Sequence, residues 1–305
     1  MNENSTKVYE FESDKVQTIS LEDLSSSLRR ESGLAGIRGI PKQVWTFIAV
    51  IRTMLSDMNI NYVFGDIHVQ NNSSKAYLTD GQKDQGFTQK NAPIDRWRFD
   101  KVIQMIQLPN ILSETKGIAR NAAIGITLNK EGLSVAFGMN VHECSNFNVM
   151  GGTLLRSYSY GGREAMPWEL MEFKIRQWLD GLSQIWGVQN QIMEDMMGYS
   201  IPADIPIVDE IIGDLYTGAL KQAYFKGPEM PFNTHELSEF VQTMIKSGEH
   251  SGANIKSVWD VYNWGTSIMK PGKVDIGEIA NSSNLWADYL MNRFELGIAE
   301  CEILD

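Results

Sequence analysis

The chain has only two cysteines and four histidines among its 305 residues. The two thiols, Cys144 and Cys301, are too few for a disulfide framework, which favours a reducing compartment. No apolar run approaches the roughly 18 residues that a membrane span needs. The first fifteen residues also lack the basic and then apolar pattern of a secretory signal. We therefore expect a cytoplasmic protein that does not enter a membrane.

The common catalytic and nucleotide-binding motifs are also missing. The sequence contains no GxxxxGK[ST], no GxGxxG after a predicted strand, no HExxH, no GxSxG and no CxxC. These absences disfavour nucleotide hydrolysis, dinucleotide binding and the commonest zinc chemistries. They leave an enzymatic activity open but favour a non-catalytic protein, and we predict no cofactor.

Charge is unevenly distributed along the chain. Residues 1–163 carry 18 Lys and Arg against 16 Asp and Glu, whereas residues 164–305 carry 9 against 22, within a net charge of −11. This asymmetry favours contact between the first half and an anionic partner, with the acidic half left in solvent. Chance variation of an ordinary surface is the alternative explanation.

The most regular pattern predicts a β-hairpin in residues 121–146. Apolar residues alternate with small or polar ones from Gly132 onward, and residues 121–129 show the same alternation around a predicted turn at 129–132. The small-residue face can accept a helix or a ligand in close contact. On the second strand the apolar face comprises Leu133, Val135, Phe137, Met139 and Val141, and the small-residue face comprises Ser134, Ala136, Gly138, Asn140 and His142.

The overall pattern predicts an α+β protein in which an N-terminal antiparallel β-meander with a packed helix is followed by a mainly helical half. We expect a flexible arm at residues 1–20, a sheet domain at 21–163 and a helical region at 164–305 on or beside the sheet. Strands are predicted at 62–69, 98–108, 121–129 and 132–146, with a long loop at 71–92. Helices are predicted at 21–30, from Pro41 to Met58, and at 167–197, 207–225, 234–246, 255–269 and 282–294.

Two segments mix basic and aromatic residues. One is the glycine-rich RSYSYGGR at residues 156–163, predicted to be a loop, and the other is RWR and the residues after it, at 96–101. Aromatic faces stack on bases and guanidinium groups pair with phosphates, so both segments suit contact with single-stranded nucleic acid. Ordinary surface loops are the alternative. The candidate contacts are Arg98, Lys101, Arg120, Arg156, Tyr158, Tyr160 and Arg163.

The nearest approach to a metal site is formed by His68, His142 and Cys144. Strand alternation places His142 and Cys144 on one face, but zinc needs three or four convergent ligands. A hydrogen-bonded histidine and a small buried cysteine explain the same residues more simply. We therefore predict no metal.

The segment WDVYNWGTSIMKP, residues 259–271, is dense in aromatic residues. We interpret it as a helix that docks on the sheet through Trp259 and Tyr262 and does not contact a ligand. The carboxylates of Asp209, Glu210 and Asp214 are interpreted as a solvated helix face rather than an acid/base pair.

Two segments together resemble the phage/plasmid-like protein family, the domain of unknown function family 932. VHECSNFN at residues 141–148 is similar to the strand that ends in a Cys-(Ser/Thr)-Asn element, with Phe147 where the family usually has glycine. WDVYNWGTSIMKP is similar to the Trp-x-x-Tyr-Asn-x-x-Thr helix near the end of those proteins. The resemblance spans about residues 21–294 and implies a bacteriophage or mobile element; the family has no established catalytic residues to carry over.

The order of elements is separately similar to that of phage single-strand annealing proteins of the Red-beta and RecT type. We therefore expect a non-catalytic phage or mobile-element protein that binds single-stranded DNA, in annealing or recombination, and forms homo-oligomers in the host cytoplasm. The alternatives are a structural protein of the virion or a host-interaction protein, and a metal-dependent enzyme that uses His68, His142 and Cys144.

Overall fold

The computed structural model describes most of the sheet and of the C-terminal helices, and the structural statements below concern that part of the chain. An antiparallel sheet forms in the N-terminal half and helices fill the C-terminal half, which confirms the predicted α+β class. The described residues are 16–19, 43–70, 80–86, 88, 101–129, 132–141, 146–151, 155–159, 168–202, 207–225, 229–238, 255–269 and 275–296.

The described strands form one sheet in the order β1-β2-β3-β4-β5, and β6 and β7 share the outer edge of β5. The strands are β1 (Val16–Ile19), β2 (Val63–Gln70), β3 (Lys101–Thr115), β4 (Ile118–Asn129), β5 (Gly132–Val141), β6 (Asn146–Asn148) and β7 (Leu155–Ser159). The helices are α1 (Gln43–Asp57), α2 (Asp80–Asp84), α3 (Trp168–Asp180), α4 (Leu182–Gly198), α5 (Ile207–Phe225), α6 (Val258–Met269) and α7 (Ile276–Arg293).

The β4–β5 hairpin forms as predicted and is buried on both faces. β4 ends at Asn129 and β5 begins at Gly132, so the turn lies where the sequence indicated. On the apolar face, Phe137 makes T-shaped contacts with Trp178 of α3 and Trp186 of α4, with ring centroids 6.1 and 6.2 Å apart. Side chains of α1 join the same core. The sheet is therefore an inner layer.

Helix α7 covers the small-residue face. A Cβ at Gly125 would lie 2.8 Å from Ile276 Cγ2 and 3.1 Å from Phe147 Cε1, so only glycine allows this approach. The backbone N–H of Ile276 donates to Thr127 Oγ1 at 2.8 Å. The small-residue face thus packs against a helix of the same chain. A second apolar cluster forms there from Ile103, Met105, Ala123, Ala136, Phe147, Val149, Ile276, Ile279 and Ala280.

Strand β3 continues past Pro109, where the sequence pattern had ended it. The β3–β4 register shifts between Leu108 and Leu112, so the proline lies in a bulge, where its missing N–H breaks no ladder bond. The hairpin then closes through Lys116 and Gly117, which have φ of 50° and 83° and suit a two-residue turn. We call residues 112–121 the β3–β4 tip.

Several element boundaries differ from the sequence predictions. Residues 16–19 of the predicted arm form β1, and residues 80–84 of the predicted loop form α2. The predicted helix at 167–197 is two helices, because the Gly181 carbonyl accepts from the N–H groups of Gln184 and Ile185 and begins α4 anew. Helix α7 begins six residues before the predicted start. The predicted helix at 21–30 and the second part of that at 234–246 lie outside the described residues.

The helices and the sheet share one core. The cluster on the apolar face joins residues from Ile51 of α1 to Met291 of α7, so residue 163 does not separate two cores. Trp259 and Tyr262 are buried, as predicted, but the helix docks mainly on other helices and not on the sheet: α6 packs against α4 and α7 and, in the sheet, against β6. The Tyr262 hydroxyl lies 2.6 Å from Ser283 Oγ, and Trp286 Nε1 donates to the Tyr262 carbonyl at 3.0 Å.

Candidate nucleic-acid interface

Arg120 is completely buried between β4 and α4. Its Nε donates to Asn190 Oδ1 at 2.7 Å, and its Nη2 donates to Thr115 Oγ1 at 3.0 Å. Burial lowers the pKa of the Arg120 guanidinium, while the charge of Glu194 acts in the opposite direction. The residue fastens the β3–β4 tip to α4. Its prediction as a nucleic-acid contact is wrong, because no phosphate reaches a side chain without exposed surface.

Lys101 is engaged by the beginning of α7. Its Nζ lies 3.2 Å from Asp275 Oδ2, and the two side chains are 22% and 8% exposed. Asp275 is also the N-cap of α7, since its Oδ1 accepts from the Gly277 N–H at 2.8 Å. Lys101 therefore supports a helix cap, and this ion pair argues against its prediction as a phosphate contact.

A third cation of the sheet, Lys116, also binds a C-terminal helix. Its Nζ donates to the Met197 carbonyl at 2.6 Å, at the end of α4, where the helix dipole favours positive charge. Thr115 beside it donates to Glu194 Oε1 at 3.3 Å. The described cations of β3 and the β3–β4 tip thus hold helices of the acidic half and do not form a track for a polyanion.

Arg156 and Tyr158 lie on an edge strand, not in the loop that the glycine-rich composition predicted. β7 pairs with β5 so that Arg156 is opposite Val135 and Tyr158 is opposite Leu133. Residues two apart share a face of a strand, and directly opposite residues of an antiparallel pair share one too, so both positions are on the side of Leu133 and Val135, the apolar face of the sheet. Among the described residues β7 has one strand partner, β5. The alternation of serine with arginine and tyrosine in RSYSY was the signal that could have indicated a strand.

The remaining candidates, Arg98, Tyr160 and Arg163, lie outside the described residues. Their role as contacts stays a prediction.

A cation–aromatic cluster that the sequence did not indicate joins α1 and β2. The Arg52 guanidinium lies 4.7 Å from the centroid of the Phe64 ring, which makes an edge contact with Tyr62 at 5.3 Å. The hydrogen bond with Ser56 is the main cause that lowers the pKa of Tyr62, and Arg52 acts in the same direction. Arg52 is exposed, so it is a basic group within reach of solvent.

The strand register separates the residues of the predicted metal alternative. His68 is in line with Ile103, Thr127 and Ser134 across the sheet. Val141, which directly precedes His142, is seven residues farther along β5, about 23 Å, and three strand spacings, about 14 Å, to the side. This distance argues against His68 as a shared ligand.

His142 and Cys144 themselves lie outside the described residues. Within the described part of the chain, no group of three His, Cys, Asp or Glu side chains could hold a metal ion. The prediction about the carboxylates of α5 is modified by one contact: Asp209, Glu210 and Asp214 are exposed, but Arg293 donates to Glu210 at 2.9 Å and to Asp214 at 2.6 Å.

In the part of the chain that the structure describes, no helix is long and apolar enough to cross a membrane. The resemblance to the phage/plasmid-like family stays a prediction. Comparison with protein-family models, with curated proteins and with solved structures finds no match to this chain.

Proposed function

We propose that the protein is a non-catalytic, single-stranded DNA-binding protein of a phage or mobile element, and that it acts as an oligomer. The phage context rests on the resemblance of residues 141–148 and 259–271. The main DNA contact lies on β7 and the residues that follow it, with Arg156, Tyr158, Tyr160 and Arg163 as the contacts, and Arg98 stays a further predicted contact. Lys101 and Arg120 have no part in it.

The observation that carries the proposal is the register of β7. It sets Arg156 and Tyr158 two residues apart on an edge strand, so a basic and an aromatic residue alternate with serine along an extended backbone. An extended single strand can place a phosphate on one and a base on the other. RSYSYGGR continues with another tyrosine and another arginine.

Salt dependence gives a quantitative expectation. If Arg156 and Arg163 each neutralise one phosphate, the logarithm of the binding constant should fall with the logarithm of salt concentration with a slope of about −1.4. So shallow a slope predicts weak binding by each copy, which suits a protein of net charge −11 that binds cooperatively as an oligomer.

Fluorescence anisotropy with a labelled oligothymidylate at low salt tests the proposal. Replacing Arg156 by Gln and Tyr158 by Ala should each weaken binding, and Arg156→Gln should also make the salt slope shallower by about 0.7. Lys256→Gln is a matched control, because Lys256 is an exposed cation of the acidic half. Absence of binding by the unmodified protein at low salt would end the proposal.

Exposed apolar side chains favour a structural or host-interaction protein as the second candidate. Phe173 of α3 is 62% exposed and Tyr224 of α5 is 76% exposed, although aromatic side chains of this size are usually at least partly covered. Mass spectrometry of purified particles distinguishes the candidates, since a recombination protein should be absent from them.

A further inference from the structure

Residues 213–224 of helix α5 have an uncharged exposed side opposite the buried one, and the exposed Asp209 lies on the same side one turn before Gly213. Ile211, Leu215 and Ala219 face the core. Along the opposite side, Tyr216, Leu220 and Tyr224 recur at intervals of four residues and are 40%, 37% and 76% exposed. We call this surface the α5 stripe; it consists of Gly213, Tyr216, Thr217, Leu220 and Tyr224.

The two small members of the α5 stripe suit close helix packing. The Thr217 hydroxyl donates to the Gly213 carbonyl at 2.9 Å, so its polar group is satisfied within the helix. A Cβ built at Gly213 would meet nothing within 4 Å, so this chain's own packing does not require glycine there. A helix-interior glycine without such a need destabilises the helix relative to alanine. Gly213 leaves a shallow depression in the stripe.

We propose that the α5 stripe pairs antiparallel with the α5 stripe of a second copy of this chain. The two-fold axis crosses the stripe at the level of residue 218. In a two-fold contact, residue i faces residue j and j faces i. With the axis at that position, Tyr216 faces the partner's Leu220. Tyr224 faces the partner's Gly213, and the glycine leaves room for the ring.

Charge selects the same arrangement. Lys221 lies on the flank of α5 that also carries Asp214 and Glu210, about two and three turns toward the N-terminus. An antiparallel two-fold pairing brings like flanks together in opposite directions, so Lys221 comes beside the partner's Asp214, whose Oδ2 also accepts from Arg293 of its own chain. A parallel pairing would instead set Lys221 against the partner's Lys221 and stack the bulky tyrosines on each other. Charge and shape thus both favour the antiparallel dimer.

The size of the stripe limits the strength of the dimer. Residues 213–224 span about 17 Å of helix. A pair of helices of that length buries less than the roughly 800 Å² per partner of a stable complex, so we expect a dissociation constant in the micromolar range. The pairing rests on the oligomer part of the proposed function and specifies its surface. Its test contains no DNA, so failure of DNA binding does not affect it.

Sedimentation equilibrium over a concentration series tests the pairing. Leu220→Lys should weaken dimerisation at least tenfold, whereas Phe173→Lys, a matched change on α3, should leave it unaltered. Gly213→Ala should weaken the dimer by filling the depression, although it stabilises the helix of the monomer. Gly187→Ala on α4 is its control, since a Cβ there also meets nothing within 4 Å; it should raise stability alone.

Disulfide formation between copies gives a second, geometric measurement. Thr217 is the exposed residue nearest to the proposed axis, so Thr217→Cys in a Cys144→Ser, Cys301→Ser background should give a covalent dimer under mild oxidation. Gln184→Cys, exposed on α4, should not. A protein that stays monomeric up to about 100 µM, or a dimer that Leu220→Lys leaves intact, would overturn the proposal.

Discussion

At the scale of single residues, Arg120 shows that the sequence does not reveal whether a cation is exposed or buried. Arg120 follows an alanine on a strand of otherwise ordinary pattern, and nothing in its neighbours indicates a partner on α4. Charge is visible in a sequence, but the group that neutralises it is not, because Asn190 and Glu194 are 70 and more residues away. Arg120 was therefore assigned to solvent when it belongs to the interior.

Replacing Arg120 by Met tests its structural role. We expect the free energy of unfolding to fall by about 2–4 kcal/mol, because Asn190 Oδ1 and the Ile118 carbonyl lose a buried donor. Urea unfolding measures this loss. Lys174→Met, at an exposed position of α3, should change the value by less than about 0.5 kcal/mol.

The Arg120 variant also separates stability from binding. Measured under conditions where it is fully folded, its affinity for single-stranded oligonucleotides should equal that of the unmodified protein. Unchanged stability together with weakened DNA binding would restore Arg120 as a contact.

At the scale of elements, helix and strand periodicity was readable but their ends were not. The apolar spacing gave α1, α5 and the β4–β5 hairpin. The start of α7 was predicted at Ser282. In the structure Ser283 is buried within the helix and accepts from the Val149 N–H at 3.1 Å. Asp275, followed three residues later by Glu278, was the better capping signal.

We expect the Asp275 cap of α7 to contribute to the stability of the protein. Asp275→Ala should lower the free energy of unfolding by about 1–2 kcal/mol, because the Gly277 N–H loses its acceptor at a buried helix start. Asp275→Asn keeps the acceptor and removes only the charge that pairs with Lys101. Its cost should be smaller than that of Asp275→Ala, because only the partly buried ion pair is lost. Urea unfolding of both variants checks the order, and equal costs would contradict the role of Asp275 as a cap.

A strand interrupted by proline illustrates what periodicity cannot show. Pro109 has no N–H to donate, so ending β3 there was the natural prediction. The chain instead absorbs it in a bulge, because the residues after it form the β3–β4 tip and gain contacts with α4. Trp186 Nε1, for example, donates to Ser113 Oγ at 3.1 Å. Contacts with α4 thus compensate for the interruption of the strand, and the residue pattern of one strand does not reveal such contacts.

At the scale of the whole molecule, the charge asymmetry has a partly internal explanation. The basic half was predicted to meet an external anion. Instead, Lys101 binds the Asp275 cap and Lys116 binds the end of α4. Arg120 binds Asn190 of α4 and lies within reach of the charge of Glu194. Part of the complementarity between the halves thus joins sheet to helices. The predicted positions that remain for a nucleic acid are Arg98 and those on β7 and after it.

Because helices pack on both faces of the sheet, the sheet and helices should unfold together. We expect a single urea transition in which Trp fluorescence and the protection of β4 amides from hydrogen exchange are lost at the same midpoint. The fluorescence reports on helices through Trp178, Trp186, Trp259 and Trp286, whereas the amides report on the sheet. A helical signal lost well before β4 protection would mean that the sheet is stable without its helices. Removing α7 alone would expose Gly125 and its neighbours to water, so their protection is the sharpest measure of this coupling.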